Sequence, residues 1–471
     1  MNASAESVGA SLSDEVESAR FRAFAARIDR LIARIDAALT SQVNAIIHAD
    51  AFQRMESRWR ALAHLVDLAG IGRGVLVRAL DVDWRTLSRS MERAADFDQS
   101  PLFRLVYDGE FGMPGGLPFG LLVGDYHVSH RNDGEKGDQI EALRRLSSVA
   151  AAAFCPLVLN AAPACLGVDR FGAIGAETDI DPRYDPQGPN PDRSRWEELR
   201  RAEDSRFLCL VAPGVRIRAP WRRGEAARSA DGFIFDEAKD RPLIAGGGVA
   251  FAATIIRAFQ ESGWFAAIRG AYQDSGGGGR VDGFTPMDFG TDRHRLSAHT
   301  PIEFRPTATQ EEAMIQQGVI PLASLYLDAD PVFNANPTLH RPQVYHSAVA
   351  TQNARLAATL QYVLCTSRFA HYLKVIMREE IGSIADPDLL RARLTEWLRE
   401  YCIGNDDAPQ ELKAQYPLRD AGVEVNSIAG RPGVYACTIW LQPHFQLDDI
   451  STSFLLVAEA PSTPIAERIS A

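Results

Sequence analysis

Residues 116–130 read GLPFGLLVGDYHVSH, and this stretch is the clearest sign in the sequence of a sheet packed among helices. Its segment 119–126 is rich in aliphatic and aromatic residues and has Pro and Gly at its start, which is typical of a β-strand. Comparable strand patterns occur at 75–80, 207–212, 264–269 and 320–327. Helix patterns lie among them at 52–68, 142–154 and 249–262. This order of elements predicts a mixed α/β, or α+β, fold.

The end of the strand predicted at 119–126 carries residues that could bind a transition metal. Asp125, His127 and His130 place one carboxylate and two imidazoles close together, and zinc and related ions bind these groups. Side chains alternate along a strand, so Asp125 and His127 share a face, whereas His130 points the other way or lies in the next loop. A cytoplasmic α/β metalloenzyme is therefore one alternative that the residues leave open.

A long helix precedes these elements. Apolar residues recur at steps of three and four from Phe24 to Ile46, which predicts one helix over 13–48. Ser13 can cap this helix, and the acidic residues that follow complement the positive end of the helix dipole. The steps fit 3.6 residues per turn better than a heptad. We therefore expect one face to dock on a neighbouring element, with a coiled coil as the alternative.

Composition excludes several classes of protein. The 471 residues are 46% hydrophobic and 24% charged, which is typical of globular proteins. No apolar run has the roughly 20 residues of a membrane-spanning helix, and the N-terminus lacks the apolar core of a secretory signal. A net charge of -11 argues against a nucleic-acid partner. We expect a cytoplasmic protein without membrane insertion, whose six scattered cysteines are buried thiols.

The character of the sequence changes along the chain and predicts three parts. They are an N-terminal tail with the long amphipathic helix (1–48), an α/β core (49–357) with loop inserts near 179–192 and 222–240, and a C-terminal domain (358–471). The C-terminal domain begins with helix patterns and ends, after Pro417, in alternating strand patterns at 423–428, 434–441 and 453–459. We expect this last part to be a small α+β domain.

Two glycine runs raise the question of a bound phosphate or other anion. The run at 276–279 lacks the Lys and hydroxyl residue of a P-loop. The run at 246–248 precedes a helix pattern, where free amides could hold an anion, but close packing or a flexible hinge is the expected reason for these glycines. The sequence also lacks a GxSxG nucleophile elbow. We therefore expect no cofactor, no metal and no catalytic residue.

Two helical segments combine aromatic and basic side chains in a way that suits contacts between subunits. The candidate interface residues are Phe52, Trp59 and Arg60 in the first segment and Arg368, His371 and Tyr372 in the second. A helix that faces the core, with its charges in solvent, explains the first segment equally well.

Seven blocks of this sequence resemble, in order, those of a known family. SQVNAIIHADAFQRMESRWRALAHLV (41–66) is similar to the family's QLNEILH-like stretch followed by FQxLExxWRGLxxLV. FDQSPLFRLVYDGEFGMPGGLPFGLLVGDY (97–126) is similar to its DQSxLFxxVYExEFGxxGGxPFGxLxGDY block. The other blocks lie at 195–221, 263–270, 353–383, 416–425 and 430–459. On these residues the chain resembles the large subunits of the type VI secretion contractile sheath, the TssC/VipB family, also called ImpC/EvpB.

The resemblance implies a structural role with several partners. It implies a protomer that pairs with a small sheath subunit of the TssB/VipA kind, surrounds an inner tube of Hcp-like rings, meets baseplate components and contracts. It also implies that the C-terminal domain, including Pro443, His444 and Phe445, lies near the inner tube. Such a sheath works through changes in packing between subunits, so contraction needs no bound nucleotide.

Departures from the family pattern leave alternatives open. The family usually carries a further amphipathic stretch before the first block, where a recycling AAA+ unfoldase engages the sheath. Here 40 residues precede that block and match poorly, so recycling through this chain is in question. Residues 246–248 replace a bulkier tryptophan-containing segment, and 271–310 match weakly. A divergent second copy of the large subunit, or an accessory paralogue that does not polymerise, stays an alternative.

Overall fold

The computed structural model describes residues 3–70, 74–131, 137–180, 192–221, 235, 237–238, 241–271, 277–287, 299–325, 328–380, 387–405, 407–427, 435–444 and 454–459. Contacts divide the chain into two units, one of Met1–Arg60 with Ile217–Leu243 and one of Ala61–Arg216 with Ile244–Ala471. The boundary between Arg60 and Ala61 falls inside a helix. The three-part division expected from the sequence stays a prediction.

Helices make up most of the regular structure. In chain order they are α1 (Ala3–Ile47), α2 (Asp50–Ala69), α3 (Trp84–Arg93), α4 (Pro101–Phe103), α5 (Gln139–Ala152), α6 (Asp192–Arg201), α7 (Gly247–Ser262), α8 (Ala308–Gln316), α9 (Ala348–Ala357), α10 (Leu360–Glu380), α11 (Pro387–Arg399) and α12 (Gln410–Gln415). The chain after α4 continues as a π-helix over Arg104–Phe111. Among the described helices, none offers the length and hydropathy that a bilayer span requires.

The long N-terminal helix is confirmed, but it begins at Ala3 and not at Ser13. Ser13 therefore lies within α1 and does not cap it. The segment before Ser13 has no proline and contains several good helix formers, so nothing in it stops the helix from extending.

The strands form two larger sheets and two short pairs. In chain order they are β1 (Leu122–Val128), β2 (Leu157–Ala161), β3 (Leu208–Ala212), β4 (Val215–Arg216), β5 (Ile244–Ala245), β6 (Val319–Pro321), β7 (Ala323–Ser324), β8 (Pro331–Val332), β9 (Leu418–Ser427), β10 (Tyr435–Pro443) and β11 (Phe454–Glu459). The predicted strand at 320–327 is thus divided between β6 and β7, and residues 326–327 lie outside the described residues.

A four-stranded parallel sheet in the order β1-β2-β3-β6 forms the centre of the larger unit. Every residue of β2 and β3 is buried, as expected for central strands covered on both faces. Helix α7 packs on β1, β2 and β3. Side chains from α3, α5 and α6 join the sheet in one apolar cluster that includes Leu143, Leu159 and Leu210. This cluster is the main core of the unit.

The glycine run at 246–248 allows α7 to approach this sheet closely. A Cβ atom on Gly246 would overlap the buried side chain of Asn160, and one on Gly247 would overlap the carbonyl of Pro213. The amide of Gly248 donates a hydrogen bond of 2.9 Å to Oδ1 of Asn160. The expectation of close packing is therefore confirmed, and Asn160 uses an amide that an anion would need.

The C-terminal region contains a three-stranded antiparallel sheet in the order β11-β10-β9. The strand patterns after Pro417 are confirmed by it. Trp440 pairs with Gly422 across the sheet, and a Cβ atom at Gly422 would lie 2.5 Å from the indole. Ile439 of this sheet packs with Phe369 of α10 and Leu394 of α11 in a second apolar cluster.

Two predicted strands do not form within the described residues. Residues 75–80 carry no strand pairing, and residues 264–269 run through bends. The second stretch is flanked by Gly263 and Gly270, whose φ angles of 77° and 68° reverse the chain at both ends. Its aromatic residues serve packing: the ring of Trp264 stacks on Phe369 with centroids 4.5 Å apart.

Candidate subunit interfaces

Helix α1 carries a continuous stripe of large apolar side chains that is exposed in this chain. Its members occupy one face of the helix at the 3.6-residue period, and each is between 40% and 73% exposed. The stripe consists of Phe21, Phe24, Ile28, Leu31, Ile32, Ile35, Leu39 and Ile46. The expectation that this face docks within the chain is therefore wrong. A surface of this kind usually marks a contact with another molecule.

The first group of candidate interface residues lies on α2. Trp59 is 69% exposed and Met55 beside it is also exposed, whereas Phe52 is half-buried. The Nε atom of Arg60 donates a hydrogen bond of 2.8 Å to Oε1 of Glu56 on the same helix. Trp59 is thus the member of this group that another subunit could reach directly.

A charged cluster joins α2 to the segment that follows β4. The guanidinium of Arg218 bonds to the carboxylates of both Glu56 and Glu237, and the shortest distance in each pair is 2.6 Å. Burial alone would raise the pKa of Glu56, but hydrogen bonds from Arg218 and Arg60 outweigh it and hold the pKa below the usual range. Arg218 likewise holds the pKa of Glu237 low against burial. Both carboxylates are therefore charged partners of Arg218 near neutral pH.

In the second group, Arg368 and Tyr372 form a pair on the surface of α10. The Nη2 atom of Arg368 donates to the hydroxyl of Tyr372 at 2.7 Å, and its guanidinium lies 4.4 Å from the centre of that ring. Tyr372 is 37% exposed. This pair is accessible, so its interface role stays a prediction.

His371 occupies a different environment from its neighbours. Its side chain is only 2% exposed, and Nε2 lies 2.9 Å from the carbonyl oxygen of Ala153. The ring of Phe111 packs against it with centroids 5.2 Å apart. Burial lowers the pKa of His371 to about 4. His371 therefore packs inside this chain, and a partner could reach it only if the helix moved.

Because the pKa of His371 is depressed in the folded chain, we expect the chain to lose stability as the pH falls. An unfolded histidine has a pKa of 6.5, so this contribution is complete above that pH and is lost as the pH falls towards about 4. The loss amounts to about 2 kcal/mol by pH 5. Urea unfolding of the wild type and of His371→Gln at pH 7.5 and pH 5 measures it. The wild type should lose more stability than the variant, and equal losses would contradict the assignment.

The candidates near the end of β10 are also placed inside the fold. Pro443 and His444 are both buried, and the amide of His444 donates to the carbonyl of Pro417 at 3.1 Å. Phe445 lies outside the described residues. The position of this end of the sheet near an inner tube stays a prediction.

Residues 75–81, just before α3, belong to no strand in the part of the chain that the structure describes. Over these residues the main chain forms no hydrogen bond to any other described group. Leu76 and Leu80 are 75% and 59% exposed, and Arg78 between them is held by Glu110 and the ring of Phe119. The sequence predicted a strand here, and these residues have no partner strand within the described ranges. Unpaired edges of this kind can accept a strand from another chain.

The possible metal ligands at the end of β1 do not form a cluster. Asp125 accepts a hydrogen bond of 3.1 Å from Nδ2 of Asn160, and His127 is exposed. His130 is buried beside Trp196, with ring centroids 6.2 Å apart. Across the described ranges, no three His, Cys, Asp or Glu side chains are grouped so that they could hold a metal ion. The geometry thus gives the metalloenzyme alternative no site in that part of the chain.

Comparison with protein families accounts for almost the whole chain. Residues 29–340 match the family described as VipB: EvpB/VC_A0108, tail sheath N-terminal domain. Residues 349–460 match the family described as EvpB/VC_A0108, tail sheath gpW/gp25-like domain. The chain belongs to the VipB tail sheath family. The resemblance in seven blocks is thereby confirmed, and so is the structural sheath class that it implied.

A curated relative of this VipB-family chain is the type VI secretion system sheath protein TssC1 of Pseudomonas aeruginosa. The two are 32% identical over 443 residues, which cover 92% of this chain and 86% of the relative. Two solved structures are also similar. The anti-feeding prophage baseplate contains a chain with a TM-score of 0.34 and 11% identity, covering 85% of this chain and 82% of its own. The sheath tail protein of Listeria innocua has a TM-score of 0.35 and 10% identity, with coverages of 72% and 56%.

Two features of this VipB-family chain were not anticipated from its sequence. Arg218 lies just before the segment predicted as a charged loop insert near 222–240, and Glu237 lies within it; the charge of that segment was the available signal. The exposed leucines at 76 and 80 lie in a segment that was predicted as an ordinary strand. Sequence patterns do not show whether a strand finds its partner in the same chain.

Proposed function

We propose that this chain is a large subunit of a cytoplasmic type VI secretion contractile sheath. In this proposal it pairs with a smaller sheath subunit, polymerises around an inner tube with a baseplate at one end, and drives the tube outward by contraction. The observation that carries the proposal is the exposed apolar stripe of α1. The family relationship supports the sheath role, and the stripe supports assembly with a second chain.

Exposure of the apolar stripe to water costs free energy, and a partner that covers the stripe recovers it. Covering a large aliphatic or aromatic side chain contributes about 1.5 to 3 kcal/mol, and eight such side chains share this face. A helix from the smaller subunit could cover them along their length, because apolar residues at helical spacing pack best against another helix. We therefore assign the stripe to helix pairing between the two subunits.

The main chain of residues 75–81, which forms no hydrogen bond to the other described residues, supports assembly independently. An extended segment of another chain would satisfy its amide and carbonyl groups by strand addition. Leu76 and Leu80 would then pack against apolar side chains of the added strand. Strand addition of this kind joins subunits through the main chain, so the contact can survive when the subunits rotate during contraction.

The proposed work requires no active site. A sheath that contracts once needs many contacts between subunits with two stable arrangements, of which the contracted one has the lower free energy. The charge of the chain makes nucleic acid an unsuitable partner in this proposal.

Co-expression of this chain with a small sheath subunit of the TssB/VipA kind tests the proposal. We expect the two chains to purify together and to form tubes or cogwheel-shaped cross-sections in electron micrographs. Co-purification without any polymer would favour the accessory paralogue instead. Failure of the two chains to associate would contradict both.

A further inference from the structure

The junction between α1 and α2 is short, and its own bonds are few: the amide of His48 donates to the carbonyl of Asn44 at 3.0 Å and the amide of Ala49 to that of Ile46 at 3.1 Å. Only His48 and Ala49 separate the two helices, and neither residue is a proline or a glycine. Sharp changes of helix direction normally arise at proline, at glycine or where another group inserts into the helix. Contacts made from outside the junction add to these bonds and restrict the direction of α1 relative to α2 further.

The segment that contains Arg218 and Glu237 supplies those contacts. The guanidinium of Arg218 donates two hydrogen bonds to the carboxylate of Glu56 on α2. Nε lies 2.6 Å from Oε1, and Nη2 lies 3.2 Å from Oε2. The same guanidinium donates two hydrogen bonds to the carboxylate of Glu237. Nη1 lies 2.6 Å from Oε2, and Nη2 lies 3.1 Å from Oε1. Paired hydrogen bonds of this kind restrict orientation as well as distance. Arg218 thus connects α2 rigidly to Glu237.

Glu237 and its neighbours continue the connection to α1. Oε1 of Glu237 lies 3.2 Å from Nε2 of His48, which is in the junction itself. The amide of Ala238 donates a hydrogen bond of 3.0 Å to Oδ1 of Asn44 in the last turn of α1. Arg241 reaches the carbonyl of His48 at 3.4 Å. The segment that contains Arg218 and Glu237 therefore contacts the last turn of α1, the junction and α2.

We infer that Arg218 and Glu237 lock the angle between α1 and α2 and so set the direction in which α1 presents its apolar stripe. Both residues are positioning residues, because they act through the helices and do not touch the stripe. The lock is a property of the isolated chain. Its consequence for assembly rests on the proposed function of the stripe.

A distance measurement on the isolated chain tests the lock. Spin labels are introduced by a non-canonical amino acid at Ala33 of α1 and Arg54 of α2, both exposed, so that the native cysteines are left alone. Double electron–electron resonance should give one narrow distance distribution for the chain with Arg218. Arg218→Met should shift this distribution or broaden it roughly twofold, because the link from Glu56 of α2 to Glu237 is lost. An unchanged narrow distribution would overturn the inference.

Two further variants keep the test decisive. Glu237→Gln is nearly isosteric and removes one charge, so it should broaden the distribution even if Arg218→Met fails to fold. Arg257→Met is the matched control, because Arg257 also carries ion pairs, to Glu261 and Asp282, but lies in the other unit. It should leave the distribution unchanged. If it broadens the distribution equally, the effect is not specific to the lock.

Polymer formation with the small subunit separates this inference from the proposed function. If Glu237→Gln broadens the distribution and also lowers the yield of polymer, the lock and its consequence for assembly both stand. If the distribution broadens but the polymer yield is unchanged, the lock stands and its role in assembly is refuted. If the unaltered chain forms no polymer, the proposed function fails, whereas the distance result still decides the lock.

Discussion

Replacing Ile28 and Ile35 together with glutamate should abolish copolymerisation with the small sheath subunit and leave the chain folded. Both side chains are exposed in the single chain, so the substitutions cost little in its own stability. In the assembled state each substitution would place a carboxylate in an apolar seam and cost about 2 kcal/mol or more. Together they should weaken pairing by about a thousandfold. Sedimentation of polymer and electron microscopy measure the outcome.

The opposite face of α1 offers a matched control. Ala33 and Ala37 are also exposed but lie away from the stripe, and Ala33→Glu with Ala37→Glu adds the same charge to the same helix. This control should polymerise like the wild type. If both double variants assemble normally, the stripe is not the pairing surface. If both fail, added charge on α1 explains the loss and the stripe is not responsible.

Phe369→Ala should be the most destabilising single substitution in the C-terminal region. Phe369 is completely buried, and its ring lies 4.5 Å from Trp264, 5.8 Å from Tyr401 and 5.9 Å from Trp397 between centroids. Three large rings cannot collapse into the space of a fourth, so a cavity should remain and the free energy of unfolding should fall by about 3 to 5 kcal/mol. Urea unfolding of the purified chain measures this change.

Tyr372→Ala serves as the control for Phe369→Ala. Tyr372 lies on the same helix, but it is partly exposed and its strongest contact is with Arg368 at the surface. We expect a loss of about 1 kcal/mol or less. Equal losses for the two variants would mean that Phe369 is not the centre of this cluster.

If the interface prediction for Arg368 and Tyr372 is right, Tyr372→Ala should affect the polymer more than the single chain. Phe369→Ala should do the reverse. The two substitutions therefore distinguish a surface role from a core role on one helix, although their residues are only three positions apart.

Some elements were predictable because their patterns repeat over many residues. The long helix α1 and the helix α7, which ends at Ser262, show the helical period of 3.6 residues. The strands after Pro417 show the alternation of apolar and polar residues that is typical of β-strands. In contrast, β2 was missed. Its first three residues, 157–159, continue the apolar run that begins in α5, and a short apolar run has no period from which to tell helix from strand.

The interface candidates on α10 show that the sequence does not distinguish surface residues from core residues on one helix. Arg368, His371 and Tyr372 stand within one turn or so of helix and have similar chemical character in the sequence. The structure exposes Arg368 and Tyr372 in part and buries His371 against Ala153. A helix carries core and surface residues side by side, so only the position of its neighbours decides which face is covered.

The sequence by itself determined the family, the mixture of helix and sheet, and the amphipathic character of α1, because these depend on residue types and on local periods. Only the tertiary structure decided which apolar surfaces stay uncovered. It showed that the face of α1 is exposed and that residues 75–81 have no partner strand among the residues that the structure describes. It also joined Glu56 to Arg218, 162 positions away in the chain. Such contacts depend on where distant segments meet in space, and a local pattern carries no information about that distance.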